Sequence, residues 1–227
     1  MKLVLFDLDN TLLAGDSDYE WGQFLIAKGV VDGAHYEARN KAFYEDYKAG
    51  RLDIYAFLAF ALRPLATHPR AELLAWRAEY LDTRVRPMIT QAARDLVNKH
   101  LDSADLVAVI TATNSFVTAP IAREFGIPHL IATDPEEIDG HFTGEVAGTP
   151  CFREGKVVRL AHFLEAHGTR LDCLDTSWFY SDSHNDLPLL EKVQHPVAVD
   201  PDPTLAAHAQ ARGWPVISLR GGRAPDR

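Results

Sequence analysis

The stretch LVLFDLDNTLL, residues 3–13, is an apolar run that two carboxylates interrupt. Its first four residues have the apolar character of a buried strand, and Asp7 and Asp9 follow where that strand would end. Residues two positions apart on an extended chain face the same side, so we expect both carboxylates to point the same way. Two solvated turn residues are the ordinary alternative, and this stretch alone does not decide between them.

Short apolar or β-branched runs recur along the chain and alternate with helix-like segments. The runs lie at 3–6, 106–111, 129–133, 177–181, 196–199 and 215–219. The helix-like segments lie at 114–125, 156–167, 186–192 and 204–212. Buried strands that alternate with helices predict an α/β fold with a Rossmann-like, mostly parallel sheet. A hairpin is predicted near 137–152, where Asp139-Gly140 is a typical turn dipeptide.

Residues 15–86 break this alternation because they show helical patterns and no convincing strand. The patterns lie at 19–28, 35–49, 54–62 and 70–82. They predict an all-helical cap domain over 15–86, inserted after the first strand of an α/β core domain formed by 1–14 and 87–227. Six of the seven tyrosines lie in this insert, and we expect most of its aromatic residues to form its own core. The tail at 221–227 has no pattern and is expected to fray.

Composition and charge narrow the classes of partner. The 227 residues are 47% hydrophobic, enough for a sizeable core, and their net charge of −9 disfavours a nucleic-acid partner, which needs a basic face. No stretch approaches the roughly 18 apolar residues of a membrane span, and the first residues lack the basic region of a signal peptide. Cys151 and Cys173 are the only cysteines, so we expect a reducing, cytoplasmic location. No pattern fixes the oligomeric state.

Two further polar positions lie at predicted helix starts. Thr111 ends the second predicted strand and precedes Ala112, where a hydroxyl and free backbone N–H groups suit an anion, although an N-cap is the ordinary alternative. Lys156 follows a glycine at the start of another helix, where the helix macrodipole does not favour a cation. Each position taken alone is weak support for a site.

A second pair of acids, Asp182 and Asp186, follows the predicted strand at 177–181. An N-cap and a solvated first-turn residue are the ordinary alternatives for this pair. Ligands in open parallel sheets bind beyond the carboxyl ends of the strands, so we expect these acids to lie near Asp7 and Asp9. The sequence thus predicts a cluster of carboxylates, a hydroxyl and a lysine at one edge of the sheet.

Together these motifs resemble those of the haloacid dehalogenase superfamily of phosphohydrolases. The four matching motifs, in chain order, are Asp7-x-Asp9-x-Thr11, Thr111, Lys156 and Asp182-x-x-x-Asp186. The resemblance covers the chain from Lys2 to about Val199. It implies a Rossmann-like core, and the helical insert corresponds to the cap of the phosphoserine-phosphatase-like branch.

The resemblance implies a role for each motif residue. Asp7 would attack phosphorus and form an aspartyl-phosphate, while Asp9 would protonate the leaving group and then deprotonate water. Thr111 and the Ala112 amide would hold phosphoryl oxygens, and Lys156 would offset the negative charge.

Mg²⁺ is the cofactor that the resemblance implies. Its ligands would be the Asp7 carboxylate, the Asp9 backbone carbonyl and Asp182, with Asp186 in a supporting role. Asn185 is a further candidate for phosphate binding. A divalent cation and a lysine together would make buried acids tolerable.

The substrate is predicted to be a small phosphorylated metabolite. Phosphoserine phosphatases carry an acid shortly after the first motif that receives the substrate amine, and Asp16 is the nearest match here. The glycine-rich stretches of that family read T-A-T-N and S-D-S-H-N-D in this chain, and Arg51 is the candidate for the family's cap arginine. These departures weaken the match to phosphoserine, and a larger amine such as histidinol phosphate would suit Asp16 and an aromatic cap. Both substrates stay open at this point.

Two other functions use similar residues. A phosphotransferase would pass the same aspartyl-phosphate to an alcohol, and the sequence does not separate it from a hydrolase. A non-enzymatic phospho-acceptor domain also needs an acidic pocket, a Thr and a Lys, but such domains are shorter and lack a helical insert. We therefore expect an enzyme.

Overall fold

The computed structural model describes residues 1–220, so the expected fraying of the tail at 221–227 lies outside the described residues. A seven-stranded sheet with the order β4-β3-β2-β1-β5-β6-β7 organises the fold. The strands are β1 (Lys2–Phe6), β2 (Leu106–Asn114), β3 (His129–Ile138), β4 (His141–Ala147), β5 (Thr176–Ser181), β6 (His195–Val199) and β7 (Val216–Ile217). Every neighbouring pair is parallel except β3 and β4. The predicted α/β class with a mostly parallel sheet is confirmed.

Ten α-helices connect and cover these strands within the described residues. They are α1 (Ser17–Ala27), α2 (Gly33–Lys48), α3 (Ile54–Ala61), α4 (Arg63–Thr67), α5 (Arg70–Tyr80), α6 (Gln91–Leu101), α7 (Ser115–Glu124), α8 (Glu154–Ala166), α9 (Leu187–Leu190) and α10 (Pro203–Arg212). None of the helices found in residues 1–220 has the length and apolarity needed to cross a bilayer.

β1 lies at the centre of the sheet and is covered on both faces. Leu3 and Leu5 pack into one core cluster with residues of α8 and α10, whereas Val4 and Phe6 pack into another with residues of α1 and α7. A parallel strand that is buried on both faces reads as a continuous apolar run, because neither face meets water. This central position explains why residues 3–6 are all apolar.

Residues 15–86, which lie between β1 and α6, form a segment that we call the helical insert. It contains α1 to α5 and no strand. Its two connections run side by side, since Leu13 and Ile89 form an antiparallel bridge and the Ala14 N–H donates to the Met88 carbonyl at 2.8 Å. The helices start at aspartate N-caps where the sequence offers them, as at α1, α2 and α3.

Several predicted boundaries differ from the structure; β3, for example, continues to Ile138. β2 continues to Asn114, because after an irregularity beyond Ile110 the strand pairs again with Thr133 of β3. The last strand is limited to Val216–Ile217, where it pairs with β6 at the edge of the sheet. The predicted hairpin is present as β3 and β4, joined by Asp139-Gly140.

Candidate active site

The turn after β1 places two acids above the centre of the sheet. The Asp7 N–H donates to the Tyr180 carbonyl of β5 at 2.9 Å, which continues the β1–β5 ladder by one residue. The chain then makes a single wide turn over Leu8–Leu12, in which Asp9 is extended and Asn10 is left-handed with φ 57°. Asparagine is one of the few residues that tolerate this conformation. The turn thereby directs both carboxylates into one cavity.

This cavity has a volume of about 680 Å³, including the part that opens to solvent, and lies between the sheet edge and the helical insert. Its wall on the sheet side consists of Asp7, Asp9, Thr111, Ala112, Thr113, Phe152, Lys156 and Asp186. Its wall on the insert side consists of Asp16, Asp18, Tyr19, Asn40, Phe43, Tyr44, Tyr47, Leu52, Ile54 and Phe57. Four of the eight residues on the sheet side are charged, while five of the ten on the insert side are aromatic and two are acids.

Lys156 is buried between two carboxylates. Its Nζ lies 2.8 Å from Asp7 Oδ1 and 2.7 Å from the Asp186 carboxylate, and the side chain is only 3% exposed. Burial by itself would lower the pKa of Lys156, but Asp186 and Asp7 raise it, so the amine is a permanent cation here. The lysine holds Asp7 in place and offsets part of the local negative charge.

Negative charge still exceeds positive charge around Asp7. Burial, together with Asp186, raises the pKa of Asp7 to about 7 in spite of Lys156. The Thr11 hydroxyl lies 3.0 Å from an Asp7 oxygen and 3.1 Å from an Asp182 oxygen, yet it has a single proton to donate. Burial and the neighbouring acids raise the pKa of Asp182 well above its usual range. A cation would relieve this surplus charge.

The carboxylates around Asp7 meet the coordination requirements of Mg²⁺. No three His, Cys, Asp or Glu side chains among residues 1–220 converge into a cage for a metal ion. Mg²⁺ does not require one, since it retains several waters and binds through one or two carboxylates plus substrate phosphate. Asp7 and Asp182 supply two carboxylates on either side of the Thr11 hydroxyl, so the residues present fit this ion.

Asp9 has different neighbours from Asp7. One carboxylate oxygen accepts from the Ser17 N–H at 2.6 Å, and the other accepts from the Thr113 hydroxyl at 2.8 Å. Burial and the charge of Asp16 raise the pKa of Asp9 to about 6. A larger fraction of this acid is therefore protonated near neutral pH than for an ordinary aspartate.

Thr111 and Ala112 lie in a part of β2 that does not pair regularly with either neighbouring strand. The register with β1 ends at Val109, and the register with β3 is irregular between Ile110 and Asn114. The Thr111 side chain is 1% exposed and its oxygen accepts from the Thr113 N–H at 3.2 Å, which leaves the hydroxyl proton for a ligand. This stretch can therefore donate hydrogen bonds into the cavity.

Asp16 lines the cavity and also caps α1. One of its oxygens accepts from the N–H groups of Asp18 and Tyr19 at 3.0 and 2.9 Å. Burial raises the pKa of Asp16 above its usual range. Arg51, by contrast, is exposed, pairs with Asp46 at 2.8 Å and does not line the cavity.

Asn185 does not line the cavity. Its Oδ1 accepts from Arg153 Nε at 3.0 Å and its Nδ2 donates to the Tyr47 carbonyl at 3.1 Å. The Arg153 guanidinium also donates to the Gly50 carbonyl. Tyr47 and Gly50 belong to the helical insert, so Arg153 and Asn185 connect the sheet side to the insert. We call these four residues the latch.

Several residues at or near the cavity were not named as site residues from the sequence, and Thr113, Arg153 and Arg220 are among them. Thr113 could have been found, because it lies two positions after Thr111 on an extended chain and so faces the same side. Arg153, with φ 50°, follows no motif. Arg220 donates to the carbonyls of Thr11 and Leu13 at 3.1 and 2.8 Å, and so fixes the turn after β1 from a distance of about 200 residues.

Comparison with known proteins agrees with this geometry. The model of the haloacid dehalogenase-like hydrolases matches residues 4–191. The chain is 46% identical to the histidinol-phosphatase of Neisseria meningitidis over 96% of this chain and 99% of that protein. It is 32% identical to the phosphoserine phosphatase SerB1 of Mycobacterium tuberculosis over 99% of this chain and 73% of that protein. A crystal structure of a protein of unknown function from Bordetella pertussis superposes with a TM-score of 0.91, at 52% identity over 96% and 98% of the two chains.

The chain therefore belongs to the haloacid dehalogenase-like hydrolases, as its four motifs predicted. Within that superfamily it is a phosphatase, the class to which both named relatives belong. The predictions of family and enzyme class are confirmed.

Proposed function

We propose that this phosphatase is a Mg²⁺-dependent phosphomonoesterase whose substrate is a small amino-alcohol phosphate, with histidinol phosphate as the best candidate. The distribution of charge in the cavity supports this substrate. Lys156 is the only Lys, Arg or His among the described residues that line it, and Asp7 and Asp186 already pair with that lysine. The insert side offers Asp16 and Asp18 instead.

Phosphoserine carries a carboxylate that would need a cation in this cavity. A carboxylate transferred from water to a cavity wall of aromatic and acidic residues would lose solvation and gain repulsion. An amino alcohol has the ammonium group and lacks the carboxylate, so Asp16 can pair with it at no such cost. The aromatic wall, which includes Phe43, Tyr44 and Phe57, suits a flat ring. The Neisseria relative is named for a substrate of this kind.

The chain's own residues can perform both halves of the hydrolysis. In the first half, a carboxylate oxygen of Asp7 forms a bond to phosphorus, the bond to the leaving oxygen breaks, and Asp9 donates its proton to that oxygen. In the second half, Asp9 takes a proton from water and the water oxygen forms a bond to phosphorus. The bond between phosphorus and Asp7 then breaks, which restores the Asp7 carboxylate and releases inorganic phosphate. Thr111 and Lys156 hold the phosphoryl oxygens during both steps.

The metal would be held by Asp7, Asp182 and the Asp9 backbone carbonyl, with Asp186 in a supporting role. When bound, Mg²⁺ supplies positive charge to the phosphoryl oxygens and to the carboxylate cluster. We further propose that the helical insert is a cap domain over residues 15–86 on a core of 1–14 and 87–227, which excludes water from the cavity. The cytoplasmic location stays a prediction from the cysteine content.

The test is the steady-state hydrolysis of four phosphate esters by the purified protein, with Mg²⁺ and with EDTA. The esters are histidinol phosphate, phosphoethanolamine, phosphoserine and a sugar phosphate. We expect kcat/KM to be highest for histidinol phosphate, at least about tenfold lower for phosphoserine because of its carboxylate, and lost in EDTA. Preferred turnover of phosphoserine or of the sugar phosphate would contradict the proposed substrate, and transfer of phosphate to an added alcohol would indicate a phosphotransferase.

A further inference from the structure

We propose that Asp18 and Asn40 form a second polar subsite, which accepts a hydrogen bond from a ring N–H at the end of the substrate remote from phosphorus. This inference rests on the proposed function, and it names residues of the helical insert that select the ring. The subsite is separate from Asp16, which is assigned to the substrate amine.

Asp18 is an acid that lacks a partner in the described part of the protein. It lies in the first turn of α1, lines the cavity, and forms neither an ion pair nor a hydrogen bond through its carboxylate there. Burial and the charges of Asp16 and Asp9 raise the pKa of Asp18 well above its usual range. A ligand that donates a hydrogen bond or carries positive charge would relieve this position.

Asn40 supports the subsite independently, from another helix. The side chain, on α2, is 6% exposed and lines the same cavity. Its Nδ2 donates to the Tyr19 carbonyl at 3.3 Å, and the absence of a side chain at Gly22 makes room for that amide nitrogen. Within residues 1–220 its Oδ1 accepts no hydrogen bond. A carboxamide oxygen in a largely buried side chain gains when a ligand supplies the donor.

The surrounding wall indicates which donor fits. Phe43, Ile54 and Phe57 are apolar and face the same cavity as Asp18 and Asn40. A group that combines flat apolar faces with N–H at its edge suits both the wall and the acceptors. Imidazole is such a group: its neutral form can donate to one of the two acceptors, and its protonated form can donate to both. A sugar would place hydroxyl groups against apolar carbon, where they would lose hydration.

The order of the acids along the chain also matches the order of groups in histidinol phosphate, whose amine lies between the phosphate and the ring. Asp7 and Asp9 lie at the sheet edge, and Asp9 bonds to the Ser17 N–H at the start of α1. Asp16 caps that helix, and Asp18 follows in its first turn. The acids assigned to nucleophile, substrate amine and ring therefore follow one another along the chain.

The test compares two substrates that differ by the ring, histidinol phosphate and phosphoethanolamine, in the full-length protein with Mg²⁺. We expect Asp18→Ala to lower the ratio of their kcat/KM values by about 10–100-fold, the usual effect of an unmade hydrogen bond to a charged group. Glu20→Ala is the matched control, because Glu20 lies on the same helix, pairs with Arg84 and does not line the cavity. We expect it to leave the ratio unchanged.

Asn40→Leu is a second variant that keeps the side-chain volume and removes the acceptor, and we expect it to lower the same ratio by about 3–30-fold. If wild-type protein hydrolyses histidinol phosphate, and a folded Asp18→Ala or Asn40→Leu protein shows the wild-type ratio of the two kcat/KM values, the subsite is overturned and the proposed function stays intact. Wild-type protein that hydrolyses phosphoethanolamine and rejects histidinol phosphate would overturn both.

Discussion

Asp7 and Asp9 lie two residues apart and yet have different chemical environments. Asp7 contacts Lys156 and the Thr11 hydroxyl, whereas Asp9 is held by a backbone N–H and a hydroxyl and contacts no cation among the described residues. A nucleophile must be ionised and a general acid must carry a proton, so one site needs two carboxylates with different surroundings. The wide turn over Leu8–Leu12 makes this possible, because it sends each side chain to a different set of neighbours.

Thr113 positions Asp9, which gives a prediction for a single hydroxyl. Thr113→Val removes the bond to Asp9 while keeping the side-chain shape, and we expect kcat for histidinol phosphate to fall by about 5–50-fold because the acid is no longer aligned. Thr113→Ser restores a hydroxyl and should return kcat to within about threefold of wild type. Equal kcat values for the valine variant and wild type would show that Asp9 needs no such support.

The chain pattern made some of these residues predictable and left others hidden. Asp7, Thr111 and Asp186 could be named because each lies at or soon after the end of a buried apolar run, and the carboxyl ends of parallel strands meet at one edge. Asp18 and Asn40 could not, since their meeting depends on how α1 and α2 pack against each other. An acid in the first turn of a helix is also favoured by the helix dipole alone, so sequence gives no sign of a further role.

At the level of elements, the latch joins the helical insert to the sheet side. Arg153 follows Phe152 and precedes α8, while Asn185 lies between β5 and α9, and both bond to backbone carbonyls near the end of α2. Main-chain carbonyls are the acceptors, so the insert sequence at Tyr47 and Gly50 carries no visible signature of this contact. Tyr47 of the latch and Phe152, the neighbour of Arg153, both line the cavity, so the latch lies beside its wall.

The latch predicts an effect on substrate retention. Arg153→Ala removes the bonds to both Gly50 and Asn185, and we expect KM for histidinol phosphate to rise by about 5–50-fold, because the closed arrangement of the insert is less populated. Limited proteolysis should cut the variant faster within residues 49–53. Arg170→Ala, at an exposed arginine paired with Asp172, is the control. Unchanged KM and cleavage rate in Arg153→Ala would exclude a role in closure.

For the molecule as a whole, a buried acidic cluster links stability to pH. Burial raises the pKa of Asp7 to about 7 and that of Asp9 to about 6, from a usual value of 3.8. At pH values between 3.8 and these raised pKa values, the folded protein without metal binds more protons than the unfolded chain. The contribution of both acids to stability is therefore present at low pH and is lost as the pH rises through 6 and 7.

We accordingly expect the melting temperature in EDTA to fall between pH 5 and pH 8, by about 2–4 °C for each kcal/mol lost. Mg²⁺ should raise it, and more at pH 8 than at pH 5, because the ligands must be deprotonated. Asp7→Asn should flatten the pH dependence, whereas Asp172→Asn, at an exposed site, should not. Thermal unfolding followed by far-UV circular dichroism measures this, and a melting temperature that rises with pH in EDTA would contradict it.

The sequence was sufficient for the centre of the sheet, because the central strands are buried on both faces and therefore appear as short apolar runs. It was also sufficient for the family, because the motif residues lie at strand ends in a fixed chain order. It was insufficient for the cavity, whose volume and charge depend on how α1, α2 and α3 pack over the sheet edge. Arg220 shows the same limit, since a contact across the whole chain with backbone carbonyls leaves no local pattern.

The most direct measurement is the hydrolysis of histidinol phosphate by wild-type protein and by Asp7→Asn, each with Mg²⁺ and with EDTA. We predict Mg²⁺-dependent turnover in wild type and a loss of at least about 10³-fold in the variant, which should retain wild-type far-UV circular dichroism. Turnover that survives in a folded Asp7→Asn protein, or that is equal in EDTA and Mg²⁺, would contradict a metal-assisted attack by Asp7.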